Sequence, residues 1–300
     1  MSLTAIVNAV MRAHHATHDA PKIFDDFLAA ALFTPDERAG LEAHLVTALP
    51  VFDPAAAGQA LAPGVALARS MRAQSAPILL ARARYAEDRL EDELARGATQ
   101  YVVLGAGLDT FAFRRPELVE RLHVFEVDHP VAQADKRRRI ARAGWQVPDR
   151  LHFVALDFVT GDLAAALGGA GFDSARRTVF SWMGVTYYLA RDTLFGTLRG
   201  LATLGAPDSL VVFDYLDRDA FDDDKASFYL RRTREIVARI GEPMQTGLAP
   251  ETLAAELRGA GLALVEQLAP AELQARYFAD RSDGYRAREH FHVAAAAVTP

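Results

Sequence analysis

The chain has 300 residues, 51% of them hydrophobic and 24% charged, with a net charge of −6 and no cysteine. This composition suits a globular protein with a large core; it excludes disulfides, thiolate metal sites and thiol nucleophiles, and its acidic balance argues against a nucleic-acid partner. No apolar run reaches the roughly 18 residues of a membrane span, and Met1–Asn8 lacks the basic-then-apolar start of a signal peptide, so no membrane association and a cytoplasmic location are expected.

Residues 1–97 read as helical. Ile6, Val10 and Met11 mark one apolar stripe; Ile23, Phe24, Phe27, Leu28 and Leu32 mark another. Thr34-Pro35 is a helix start, with the threonine as cap. Residues 50–64, with Pro50, Pro54, Gly58, Pro63 and Gly64, read as a loop. A long helical pattern then runs from Ala66 to Arg96, and Pro77 is the point at which it could be interrupted. These helices are expected to pack on the rest of the chain as a cap, residues 1–97, ahead of a core at 98–300.

Residues 101–110, Tyr-Val-Val-Leu-Gly-Ala-Gly-Leu-Asp-Thr, predict a buried parallel strand ending in a tight turn before a helix. Further strands are predicted at 122–128, 151–157, 178–184 and 209–215, starting 21 to 31 residues apart, the length of a βαβ unit. Helices are expected at roughly 222–240 and from Pro250 to Gly261. Segments 262–268 and 291–298 read as two terminal strands that add an antiparallel strand to the sheet. The expected fold class is α/β: a Rossmann-like, doubly wound sheet of five parallel strands plus a C-terminal pair.

The carboxyl ends of such strands bind ligands. Gly105, Ala106 and Gly107 form a loop where backbone can approach a ligand, but Thr110 occupies the place of the third glycine that a diphosphate-binding loop would need. Glu126 and Asp128, 19 and 21 residues beyond Gly107, share a face at the end of the second strand; either could bind both hydroxyls of a ribose, and Asp128, further out, is the choice. Asp157, with Phe158 beside it, ends the third strand, where a carboxylate could accept from an adenine amino group. Together they fit an adenosine-containing ligand. Arg82, just before the first strand, could clamp a ligand carboxylate. The His14/His18 pair has metal-ligand spacing but no accompanying carboxylate, so no metal is expected, and Lys136–Arg139 reads as the solvated face of a helix.

Gln100–Thr110 with Arg114, Val124-Phe-Glu-Val-Asp-His-Pro130 and Gly184-Val-Thr-Tyr-Tyr-Leu189 resemble the leucine carboxyl methyltransferase-like family of S-adenosylmethionine-dependent methyltransferases, and within it the bacterial O-methyltransferase branch. The resemblance spans roughly residues 5–300. It implies a class I methyltransferase sheet with S-adenosyl-L-methionine as cofactor. In this reading Gly105 and Gly107 contact the methionine part, Arg84 grips its carboxylate, Asp128 binds the ribose, and Asp157 with Phe158 holds the adenine. Arg12 is a weaker match to a second basic contact. Where many relatives carry glutamate, this chain has Met183.

The implied reaction is in-line methyl transfer, expected to be O-methylation of a small-molecule carboxylate or hydroxyl. A hydroxyl would need a general base, which the sequence does not identify. Trp182, Tyr187 and Tyr188 offer aromatic faces to the cationic sulfonium, and the N-terminal helices with 50–64 are expected to form a lid. The rival expectations are a nicotinamide-dependent oxidoreductase and a catalytically inactive relative.

Overall fold

The computed structural model describes residues 3–158 and 160–300. Four helices come first: α1 (Leu3–His18), α2 (Pro35–Phe52), α3 (Pro63–Ala73) and α4 (Ala76–Ala95). Thr34 caps α2, its hydroxyl accepting from the Glu37 amide at 3.2 Å. The long pattern from Ala66 to Arg96 is two helices, broken at Gln74–Ser75. Pro77 would clash with the carbonyl four residues back in a continuous helix, and it sits instead in the first turn of α4. The predicted 50–64 loop is shorter than expected because α2 extends through Pro50 to Phe52 and Pro63 already begins α3.

The strands are β1 (Gln100–Leu104), β2 (His123–Asp128), β3 (Leu151–Ala155), β4 (Thr178–Trp182), β5 (Leu210–Leu216), β6 (Leu262–Leu268) and β7 (Phe291–Val298), in spatial order β3-β2-β1-β4-β5-β7-β6. β1 to β5 are parallel; β7 lies antiparallel between β5 and β6. This is the expected doubly wound sheet, with the terminal pair added as predicted. Gln100 pairs with His123 on one side and Thr178 on the other, so the strand order reverses at β1. The crevice between the β1 and β4 exits is therefore where such a sheet takes a ligand.

The connecting helices are α5 (Phe111–Arg114), α6 (Pro116–Val119), α7 (Pro130–Arg142), α8 (Leu163–Gly169) and α9 (Arg191–Leu204). Then follow α10 (Phe228–Arg239), α11 (Leu253–Arg258) and α12 (Pro270–Tyr277). β1 is buried on both faces, as its unbroken apolar run requires. Tyr101 and Val103 pack with Tyr85, Leu90 and Leu94 of α4. Val102 and Leu104 pack on the opposite face with Leu194, Leu198 and Leu201 of α9 and Leu253 and Leu257 of α11. A third cluster joins α1, α3 and α4 to Leu108 of the glycine loop, so the N-terminal helices are held against the ligand-binding edge.

α10 starts later than the predicted 222. Asp217 caps a short turn at Arg218–Phe221, and Ser227 caps α10 itself. α12 has no counterpart among the predicted helices, although Pro270 at its first position and Glu272, which accepts from the Ala269 amide at 3.0 Å, are recognisable start signals.

Candidate functional site

At the end of β1 the chain turns sharply, with Gly105 at φ +73° and Gly107 at φ +50°, a conformation that disfavours side chains. The amides of Gly105 and Ala106 both donate to the Val127 carbonyl, at 2.8 and 3.2 Å, so the loop is tied to the end of β2. Asp128 closes this connection. Its carboxylate accepts from the Gly107 amide at 2.6 Å and from the His129 amide at 2.7 Å. Two donors leave further lone pairs on the carboxylate for a ligand. Thr110, in the place of the third glycine, ties the loop to the segment after α1 instead, because its hydroxyl donates to buried Asp26 at 2.5 Å. Asp26 also accepts from Arg12 at 2.8 Å, and Arg12 donates to the Leu108 carbonyl at 2.7 Å, which seats α1 on the loop.

Across the crevice, β4 runs out at Met183-Gly184. The Gly184 amide donates to Asp214 of β5 at 2.6 Å, and the other oxygen of Asp214 lies 3.4 Å from Arg82 Nη1. The same guanidinium nitrogen donates to the Tyr187 hydroxyl at 3.2 Å. Gly184 has φ +76°, and a Cβ there would stand 2.5–2.7 Å from the guanidinium, so this glycine lets Arg82 pass directly beneath the strand exit. Burial opposes ionisation of Asp214 and raises its pKa, while Arg82 pulls the other way. Burial likewise opposes the charge of Arg82, but Tyr187 and Asp214 outweigh it and hold the arginine cationic.

Three cavities meet here. The largest, of about 470 Å³, is walled by Gly105–Leu108, Asp128, Met183–Val185, α1 and the segment after α10. Thr4 of α1 closes its rim by donating to Glu242 at 2.7 Å. A small polar cavity of about 100 Å³ lies under the glycine loop among Arg12, Asp26, Glu87 and Arg114. A largely apolar cavity of about 180 Å³ lies between α1, α2, α4 and α10. Among the described residues Arg82 alone lines all three, and Thr4, Asn8, Arg82 and Tyr188 form the wall shared by the large and apolar cavities.

The sequence-proposed residues fall in three places, only the first of them in the lining of the large cavity. Gly105, Ala106, Gly107 and Asp128 come together at the large cavity. Asp157 and Phe158 follow β3 one strand further out, with the Leu156 amide donating to the Asp128 carbonyl at 2.9 Å; Phe158 packs partly buried on the core. Arg84 is elsewhere: its side chain is 49% exposed and bound to Asp88 at 2.6 Å on the outer face of α4. Two residues apart on a helix, Arg82 and Arg84 cannot face the same way. Arg82 shares the stripe of Leu79 and Ala86, whereas Arg84 shares that of Asp88 and Glu91, a periodicity that could have separated them.

Lys136–Arg139 is not a uniformly solvated face. Lys136 is 2% exposed and bonded to equally buried Glu126 at 2.5 Å, and Arg139 holds Glu37 and Asp135. Glu126 is thus a buried partner of Lys136, and its carboxyl is pushed up to about 7 by burial, against the pull of Lys136. Trp182 points into the core beneath β4 and away from the cavities. His15 bonds Asp19 and the Ile23 amide. Asp214 lies on a strand that reads simply as apolar, so the sequence pattern does not single it out. Met183 lines the large cavity together with Arg82, and the carboxylate next to Gly184 comes from Asp214.

Residues 5–202 match the model of the family described as leucine carboxyl methyltransferase. The chain is 36% identical over 292 residues, 97% of its length and 96% of the relative's, to the Bacillus subtilis strain 168 protein named "Putative S-adenosyl-L-methionine-dependent methyltransferase YktD". A Mycobacterium tuberculosis H37Rv protein of the same description, Rv3399, is 34% identical over 155 residues, 51% of this chain and 44% of that one. In fold, the chain is similar to a DUF574 family protein from Streptomyces avermitilis, with TM-score 0.52 and 18% identity, covering 84% of this chain and 97% of that one.

Proposed function

Because the chain belongs to the leucine carboxyl methyltransferase family and is an S-adenosylmethionine-dependent methyltransferase, we propose that it methylates an oxygen of a small, largely apolar acceptor, a carboxylate in preference to a hydroxyl. The observation that carries this reading is the wall shared by the two larger cavities, Thr4, Asn8, Arg82 and Tyr188, across which a donor on one side meets an acceptor on the other.

The residues of the large cavity fit the cofactor. Asp128, held by two amides and open to the cavity, suits the ribose hydroxyls. The side-chain-free backbone at Gly105 and Gly107 suits close approach of the methionine part, and Arg82, in place of Arg84, suits its carboxylate. Asp157 and Phe158 are proposed for the adenine. When bound, the cofactor supplies a methyl group on a cationic sulfonium. The chain's own contribution is then alignment and exclusion of water, with α1 and the segment at Glu242 closing over the site.

The preference for a carboxylate follows from the apolar cavity. Tyr187, Tyr188 and Tyr229 in its wall are kept protonated by burial, its described lining holds no carboxylate, and its one histidine, His44, is not among Thr4, Asn8, Arg82 and Tyr188, where the two cavities meet. A hydroxyl would need a base to ionise it, whereas a carboxylate arrives ionised and loses only its charge on becoming an ester. An apolar cavity of about 150 Å³ accommodates one benzene ring, so a cavity of about 180 Å³ suits an acid with a ring-sized body.

The test is transfer of labelled methyl to a panel of aromatic and branched aliphatic acids and to their matching alcohols. Methyl esters of the acids are expected. Label appearing in the alcohols alone, or in neither, would overturn the assignment.

A further inference from the structure

Methyl transfer must take place where the two cavities meet, so the sulfonium must lie near Thr4, Asn8, Arg82 or Tyr188. Their chemistry differs sharply. Arg82 is a cation and repels a sulfonium. Thr4 already donates its hydroxyl to Glu242, and Asn8 is a neutral amide. Tyr188 alone among the four offers an aromatic face, whose electron-rich surface attracts a cation.

The local structure fixes that ring. Tyr188 ends the short turn Thr186–Tyr188 after β4; its amide donates to the Val185 carbonyl at 3.0 Å, and its carbonyl accepts from Gln245 at 2.6 Å. Its ring packs on Tyr187 with centroids 4.8 Å apart and planes inclined at 56°. Tyr187 is in turn held through its hydroxyl by Arg82. The ring is therefore placed before any ligand arrives.

We propose that Tyr188 is the specificity-determining residue by which the site distinguishes the methylated, sulfonium form of the cofactor from its demethylated thioether product. The attraction exists only while sulfur carries the methyl group and the positive charge. Transfer converts the sulfonium to a neutral thioether and ends it, so the product is held less tightly than the donor. This inference rests on the assignment of the large cavity to the methyl donor.

The experiment is calorimetric titration of S-adenosylmethionine and S-adenosylhomocysteine into the wild-type chain and into Tyr188→Phe, Tyr188→Leu and Tyr188→Met. Phe keeps the aromatic face and should keep the ratio of the two affinities. Leu and Met fill similar space without that face. They should weaken S-adenosylmethionine by about tenfold, the scale of a partly desolvated cation–π contact, while leaving S-adenosylhomocysteine within about twofold. Retained product binding shows that the variants are folded, and Met provides a second readout where Leu disturbs the turn. Equal weakening of both ligands in Leu and Met, or an unchanged ratio, would overturn the proposal. Failure of the wild-type chain to bind either ligand would instead remove the donor-site assignment.

Discussion

The Gly107 amide and the Asp128 carboxylate, 2.6 Å apart, join the exits of β1 and β2 into one surface. With the His129 amide on its other oxygen, the carboxylate is aimed before a ligand arrives. Asp128→Ala removes a charge-assisted acceptor worth about 1.5–3 kcal/mol, so cofactor affinity should fall roughly tenfold to a hundredfold. Calorimetric titration of the variant checks this. Affinity unchanged within twofold would place the ribose elsewhere.

Arg82 and Arg84 should separate cleanly. Arg82→Ala leaves fully buried Asp214 without its cation, a loss of about 3–5 kcal/mol for a broken buried pair, and should abolish methyl transfer. Arg84→Ala removes an exposed i,i+4 pair with Asp88 and should change stability and turnover only slightly. Denaturant unfolding with steady-state kinetics on both variants is the measurement. Similar effects in the two would contradict the placement.

The cavity assignment makes a different demand. Ile78 lines the apolar cavity but not the large one. Ile78→Trp should reduce kcat/KM for the acceptor by more than about tenfold through lost space while cofactor affinity stays within about twofold. Loss of cofactor affinity to the same extent would show that the two cavities are not separate sites.

Lys136 and Glu126 give a pH-dependent expectation. The Glu126 carboxyl is raised to about 7 from an ordinary value of 4.5, so the folded chain holds a proton that the unfolded chain releases between these values. Its contribution to stability is therefore fully present below about pH 4.5 and is lost as pH rises through about 7. Lys136→Met removes the cation that offsets the buried carboxylate, so its destabilisation should be larger at pH 8 than at pH 5. Urea titrations at the two pH values decide it, and equal losses at both would refute the assignment.

Much of this arrangement is legible in the chain itself. The apolar run into Gly105-Ala-Gly107 and the regular spacing of later strands specify the sheet, because a strand buried on both faces must be apolar throughout. The position of Asp128 beside the loop is legible from its distance along the chain. The expectation for Arg84 follows a family spacing, which does not fix which side of a helix faces inward; the stripe that faces the cavities here is that of Leu79, Arg82 and Ala86. Asp214 is hidden for the opposite reason. A single acid within an apolar strand is explained only by partners far away in sequence, Arg82 and Gly184, which the fold brings to it. Lys136 is hidden similarly: in a run of four basic residues, only the partner on β2 reveals which one is buried.

The most direct measurement of the central claim is calorimetric titration of S-adenosylmethionine and of NAD into the wild-type chain, Asp128→Ala and Arg84→Ala. Saturable binding of S-adenosylmethionine to the wild type and to Arg84→Ala, with a loss of at least about tenfold in Asp128→Ala and no heat from NAD, is the expected result. Binding of NAD, or S-adenosylmethionine affinity indifferent to Asp128, would contradict a methyl-donor site at the exits of β1 and β2.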